Sequence, residues 1–77
     1  MVEVFKTNVK TRSDANMLLK VIHRSFRNYS ANFDLTDCDH IMRVECYEGT
    51  VHASPLIDLL DKLGFSAAIL ADDIPLN

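Results

Sequence analysis

Cys38 and His40 stand one residue apart, on either side of Asp39. Thiolate and imidazole are the usual ligands of zinc and copper, and Asp37 or Asp39 could add an oxygen. A C-x-H pair supplies fewer than the three or four ligands of a zinc site, so a dimer would have to bring the rest. The competing chemistry is that of a polar turn, in which Asp37 and Asp39 bond their own backbone. Cys46 alternates with Met42 and Val44 and reads as a buried structural thiol; Met17 and Met42 read as packing residues. His23 adjoins an apolar stripe and His52 precedes Ser54, positions that suit boundary histidines. No nucleophile–base–orienter set, glycine-rich phosphate loop or carboxylate pair is legible, with only Gly49 and Gly64 present. The expectation is a protein that is not an enzyme.

Seventy-seven residues make one domain, expected over residues 1–71 with a tail over 72–77. An apolar content of 48% with 25% charged residues is that of a globular chain. The start, Val2-Glu3-Val4-Phe5, lacks the basic and apolar regions of an export signal. The longest apolar stretch, Phe65 to Ala71, is too short to cross a bilayer. These features predict a cytoplasmic protein with reduced thiols and no membrane partner. The net charge of −3 is unevenly spread. Six bases and two acids give residues 1–27 a charge of +4, whereas two bases and nine acids give residues 28–77 a charge of −7. Such asymmetry can steer association, although it equally serves to solvate outer faces.

Val2 to Val9, β-branched and aromatic, reads as a first strand. Either Thr11, with Asp14 three residues on, or Ser13 could cap the helix that follows. Ala15, Leu18, Leu19, Ile22 and Phe26 recur along one helical face, and Arg24 and Arg27 complement its C-terminal dipole. Ala31, Phe33 and Leu35 alternate with polar residues as a second strand. After the turn Thr36–His40, Met42, Val44 and Cys46 share one face of a third strand, while Arg43, Glu45 and Tyr47 share the other. The second helix is signalled by Ser54 as N-cap, Pro55 at its first position and Gly64 past its end. Leu56, Leu59, Leu60 and Leu63 form its stripe. Phe65, Ala67 and Ile69 alternate as a last strand.

The order β-α-β-β-α-β predicts an α+β fold, a ferredoxin-like two-layer sandwich with a four-stranded antiparallel sheet and two helices on one face. This topology gathers Thr11–Asp14, Asp37–His40 and Gly64-Phe65 at one end. Asn28–Ser30 and Glu48–Ala53 lie at the other.

Ala31-Asn32-Phe33-Asp34-Leu35, Met42-Arg43-Val44-Glu45 and the run Leu56 to Ala67, with its helix-glycine-aromatic-x-alanine ending, resemble the heavy-metal-associated, copper-chaperone-like domain family over nearly the whole chain. The resemblance implies the same fold and, in the family, a Cu(I) site of two thiolates three residues apart at the start of the first helix. Soft ions need sulfur there. In this chain Thr11 and Asp14 fall roughly where those cysteines would be, a degenerate metal loop, with Val9 near the family's methionine. Thr and Asp are poor Cu(I) ligands but good caps, so conventional chaperone function does not carry over. The turn before Ile41 also reads about two residues longer than the family's, which leaves Cys38 and His40 as the one candidate zinc or copper site at that end.

The uncovered sheet face is expected to display Ile41, Arg43, Tyr47, Ala68 and Leu70. It would also carry whichever of two sets on the first strand, Phe5/Thr7/Val9 or Val2/Val4, is not inside. Tyr47 beside Glu45, Asp34 and Asn32 in an acidic chain is a poor platform for stacked bases, so no nucleic acid is expected. An apolar open face suits a protein partner or a homodimer.

Overall fold

Alternation along the first strand decides which residues go inside. In the computed structural model, which describes residues 1–70, β1 (Val2–Thr7) buries Phe5 and Thr7 and leaves Val2 and Val4 on the opposite face. The strand stops at Thr7, short of the expected Val9. There Asn8 turns to the last loop: its N–H donates to Ser66 O (3.4 Å), and its Oδ1 accepts from Ser66 N–H (2.8 Å). Val9 is nonetheless fully buried.

Helix α1 (Arg12–Ser25) begins where Thr11 Oγ1 accepts the Asp14 N–H at 3.1 Å. Of the two expected caps the structure therefore selects Thr11, and Ser13 lies within the first turn. Ala15, Leu18 and Ile22 are fully buried, with Leu19 and Phe26 packed at the margin.

Strands β2 (Tyr29–Asp34) and β3 (Ile41–Cys46) form an antiparallel hairpin in which Tyr29 faces Cys46 and Asp34 faces Ile41. Leu35 and Tyr47, expected to continue the alternation, fall just beyond the strands. β2 is an edge strand, and the Ala31 N–H donates across 3.0 Å to His23 Nε2 on α1. The accepting nitrogen carries no proton in this arrangement. A side chain thus covers part of an edge that would otherwise invite pairing.

Helix α2 (Ala53–Lys62) starts earlier than expected, with His52 and not Ser54 at the N-cap. The cause lies upstream. Val51 is buried, and the Tyr29 hydroxyl takes the His52 N–H at 2.8 Å, so the chain is already turning two residues before Ser54. Pro55 then occupies the third helical position, where a missing N–H is harmless because the first turn has no intrahelical acceptors. Leu56 and Leu60 are fully buried, Leu59 partly, and Leu63 is exposed because it is the C-cap, where the chain leaves the core. Gly64 adopts φ +89°, and its N–H donates to Asp61 O (3.1 Å) while the Phe65 N–H donates to Leu60 O (2.9 Å). That pair of bonds is a Schellman closure, and the left-handed residue it needs is cheapest as glycine. Phe65, expected in the last strand, instead packs against the core beside this closure, and β4 is only Ala67–Ile69.

The sheet order is β2-β3-β1-β4, with every neighbouring pair antiparallel. This is the strand order of a ferredoxin-like sandwich. Phe5, Phe33, Met42 and Val44 on one sheet face pack with Leu18, Ile22, Leu56 and Leu60 of both helices to make one core. The expected tail, residues 72–77, lies outside the described residues. Among those described, no helix is long and apolar enough to cross a membrane.

Candidate functional site

The C-terminal end of β1 organises the loop that holds Cys38. The Thr7 N–H donates to Asp39 O (3.2 Å), the Thr7 hydroxyl donates to His40 O (2.6 Å), and the same oxygen accepts the Val9 N–H (3.2 Å). His40 itself sits at φ +48° and closes the turn through its N–H to Asp37 O (3.0 Å). Among the described residues, the side chains whose ligand atoms converge are Asp37, Cys38 and Asp39, all within 4.8 Å of one another. His40, paired with Cys38 in the sequence reading, is outside that group. Cys38 is an exposed free thiol. The carboxylates are also used locally: Asp37 Oδ1 accepts the Asp39 N–H (2.9 Å), and Asp39 Oδ1 lies 3.7 Å from Lys6 Nζ. That ion pair is exposed and worth little. Thr11 and Asp14 are joined in the capping bond of α1.

Asp34 anchors the other side of the turn. Its Oδ1 accepts from the Thr36 hydroxyl (2.7 Å) and the Thr36 N–H (3.2 Å). These bonds, led by the hydroxyl and with a small contribution from Arg43, hold the carboxyl below the ordinary aspartate value of 3.8. A folded-state value below the unfolded one stabilises the turn above pH 3.8, and that support is lost as pH falls through the folded value. The Thr36 amide shift is therefore expected to titrate with a midpoint below 3.8, and Asp34→Asn should remove the step; following the amide by NMR checks both.

Among the described residues, the sheet face away from the helices is uncovered. Register places Ser30, Glu45 and Val2 in one row, Asn32, Arg43 and Val4 in the next, and Asp34, Ile41, Lys6 and Ala68 in the third. Val2 is 50% exposed and Tyr47, just past β3, is 77% exposed. Ala68 is exposed and Leu70 half-buried. Ile41 departs from the expectation: it lies on this face but is buried, flanked in register by Lys6 and Asp34, and it is not part of the core. Its position on the interior strand β3, with a strand on either side, accounts for the burial.

The opposite end of the molecule holds what sequence reading missed. A concavity of about 300 Å³ is lined by Phe26, Arg27, Asn28, Tyr29, Cys46, Glu48, Thr50 and His52. A second, of about 230 Å³, shares Arg27, Asn28, Tyr29 and Glu48 and adds Tyr47. Tyr29 lines both. Its ring stacks on Phe26 (centroids 5.2 Å apart, planes 14° from parallel), and its hydroxyl accepts the His52 N–H and donates to Thr50 O at 3.4 Å. The advance signal was the topology alone, which gathers Asn28–Ser30 and Glu48–Ala53 at this end; no catalytic or metal motif marks it.

Over the described residues, fold and surfaces define a small α+β sandwich with one helix-covered sheet face and one bare one. No protein-family model, no curated protein and no solved structure matches the chain.

Proposed function

We infer that this chain is a non-enzymatic contact module on a heavy-metal-associated-like frame, and that its bare sheet face binds a protein surface, a second copy included. One observation carries the reading: a four-stranded sheet buries its core on one side and leaves Val2, Val4, Ala68 and Leu70 on the other, with Tyr47 beside them. Apolar side chains grouped on so small a domain suit an interface more than a solvated face. The capping role of Thr11 and Asp14, at the place where the family holds its thiolates, supports a use other than Cu(I) transfer.

Sedimentation velocity over a wide concentration range, combined with photo-cross-linking from position 4, tests this. The expected result is either a concentration-dependent dimer or a specific cross-linked partner, lost on Val2→Asp. A monomer at every concentration, with no Val2-dependent cross-link, overturns it.

The convergence of Asp37, Cys38 and Asp39 favours a second reading, an atypical metal site. One sulfur with two carboxylates suits zinc better than Cu(I). Calorimetric zinc titration decides it: an affinity that falls on Cys38→Ser establishes the site, and equal heats for both proteins dismiss it.

A further inference from the structure

We propose that the paired concavities at the Tyr29 end form a binding site for a small zwitterion of the α-amino-acid type, with an aromatic or other flat apolar side chain. This site adjoins the bare sheet face at Tyr47 but draws on different observations and stands without the reading above. The first argument is charge. Arg27 and Glu48 line both concavities, they are of opposite sign, and among the described residues they form no ion pair with each other. A ligand with one carboxylate and one ammonium satisfies both, whereas a simple anion or cation would meet one partner and be repelled by the other. The guanidinium fork matches a carboxylate, and the Glu48 carboxylate accepts from an ammonium.

The second argument is preorganisation. Tyr29 is fixed by its stack on Phe26 and by two hydrogen bonds of its hydroxyl to the chain at Thr50 and His52. An aromatic wall held at three points loses little freedom when a ligand packs on it, and such rigid support is what a precise site requires. Tyr47, 77% exposed, stands at the lip of the second concavity with a free aromatic surface for the same side chain. A volume of about 300 Å³ is at the small end of the range for ligand sites, which accommodates a single amino acid.

The test is an NMR titration of the full chain with L-phenylalanine, N-acetyl-L-phenylalanine and L-phenylalaninamide. L-Phenylalanine is expected to give saturable shifts at residues 26–29 and 46–52, with half-saturation on the order of 1 mM. Removing either charge, by acetylation or amidation, should weaken binding by about 10-fold, the effect of losing one charge-assisted pair. Arg27→Gln and Glu48→Gln should each do the same. Both residues are exposed, so the spectra away from the site report whether each variant is folded. Equal shifts from all three compounds, or no saturable shift from L-phenylalanine, would overturn the proposal. The same would follow if binding were unchanged in folded Arg27→Gln and Glu48→Gln.

Discussion

Replacing Phe5 by alanine is expected to cost about 3–5 kcal/mol, the largest effect of any single change in this chain. Phe5 sits on β1, an interior strand of the sheet, opposite Met42 on β3 and Ile69 on β4, and none of its surface is exposed. Truncation leaves a cavity at the junction of three strands and the helical layer, where Leu18, Ile22, Leu56 and Leu60 are also fully buried. At roughly 0.05–0.15 kcal/mol per residue, a chain of this length has about 4–12 kcal/mol of total stability to lose. The melting temperature should fall on the order of 20 °C or the variant should be unfolded, as thermal denaturation by circular dichroism will read. Val4→Ala is the informative companion. It shortens a side chain one residue away on the opposite sheet face, and should cost less than about 1 kcal/mol in a monomer. If Val4→Ala proves as damaging as Phe5→Ala, the bare face is covered in solution, and the contact reading gains its strongest support.

The helix-covered side of this molecule was the legible side. Ala15, Leu18 and Ile22 recur at helical spacing and Phe33, Met42 and Val44 at strand spacing, and both periods survive because burial enforces them. Gly64 marked the end of α2 because only a left-handed residue closes it so cheaply. What sequence did not disclose depended on long-range contacts. The start of α2 is set by Tyr29, which precedes His52 by 23 residues, so a local cap rule pointed to Ser54 instead. The choice between Phe5 and Val4 as the inward residue needed the register with β3, since both are apolar. The site candidates fared likewise. Cys38 and its acidic neighbours come together because they are adjacent in a turn, whereas Arg27 and Glu48 line one concavity only because the β2–β3 register brings the chain before β2 beside the chain after β3. Spacing rules reach the first kind of site and not the second.

Thr7→Val carries the second-largest expected effect, because it removes a hydroxyl with one buried and one partly buried hydrogen bond and almost no volume. Thr7 is the one buried polar side chain among the described residues. Its hydroxyl donates to His40 O and accepts from the Val9 N–H, joining the β2–β3 turn, the end of β1 and the approach to α1 at one atom. Valine leaves both backbone groups without that partner, at about 1–3 kcal/mol for each group that water cannot reach. A loss of about 2–4 kcal/mol is expected in urea denaturation, with faster exchange at the Val9 amide. Thr7→Ser separates the causes: it keeps the hydroxyl and drops the methyl, so it should retain the protection of Val9 while losing only about 1 kcal/mol of packing. If valine were as stable as threonine, the hydroxyl would not be what holds the turn. The Asp37–Cys38–Asp39 convergence would then rest on the turn's own Asx bond and on the Thr7 N–H bond to Asp39 O. With the hydroxyl in place, the same bond that stabilises the fold also fixes where Cys38 is presented. Zinc titration of Thr7→Val beside Cys38→Ser therefore tells a preformed site from three side chains that are merely neighbours.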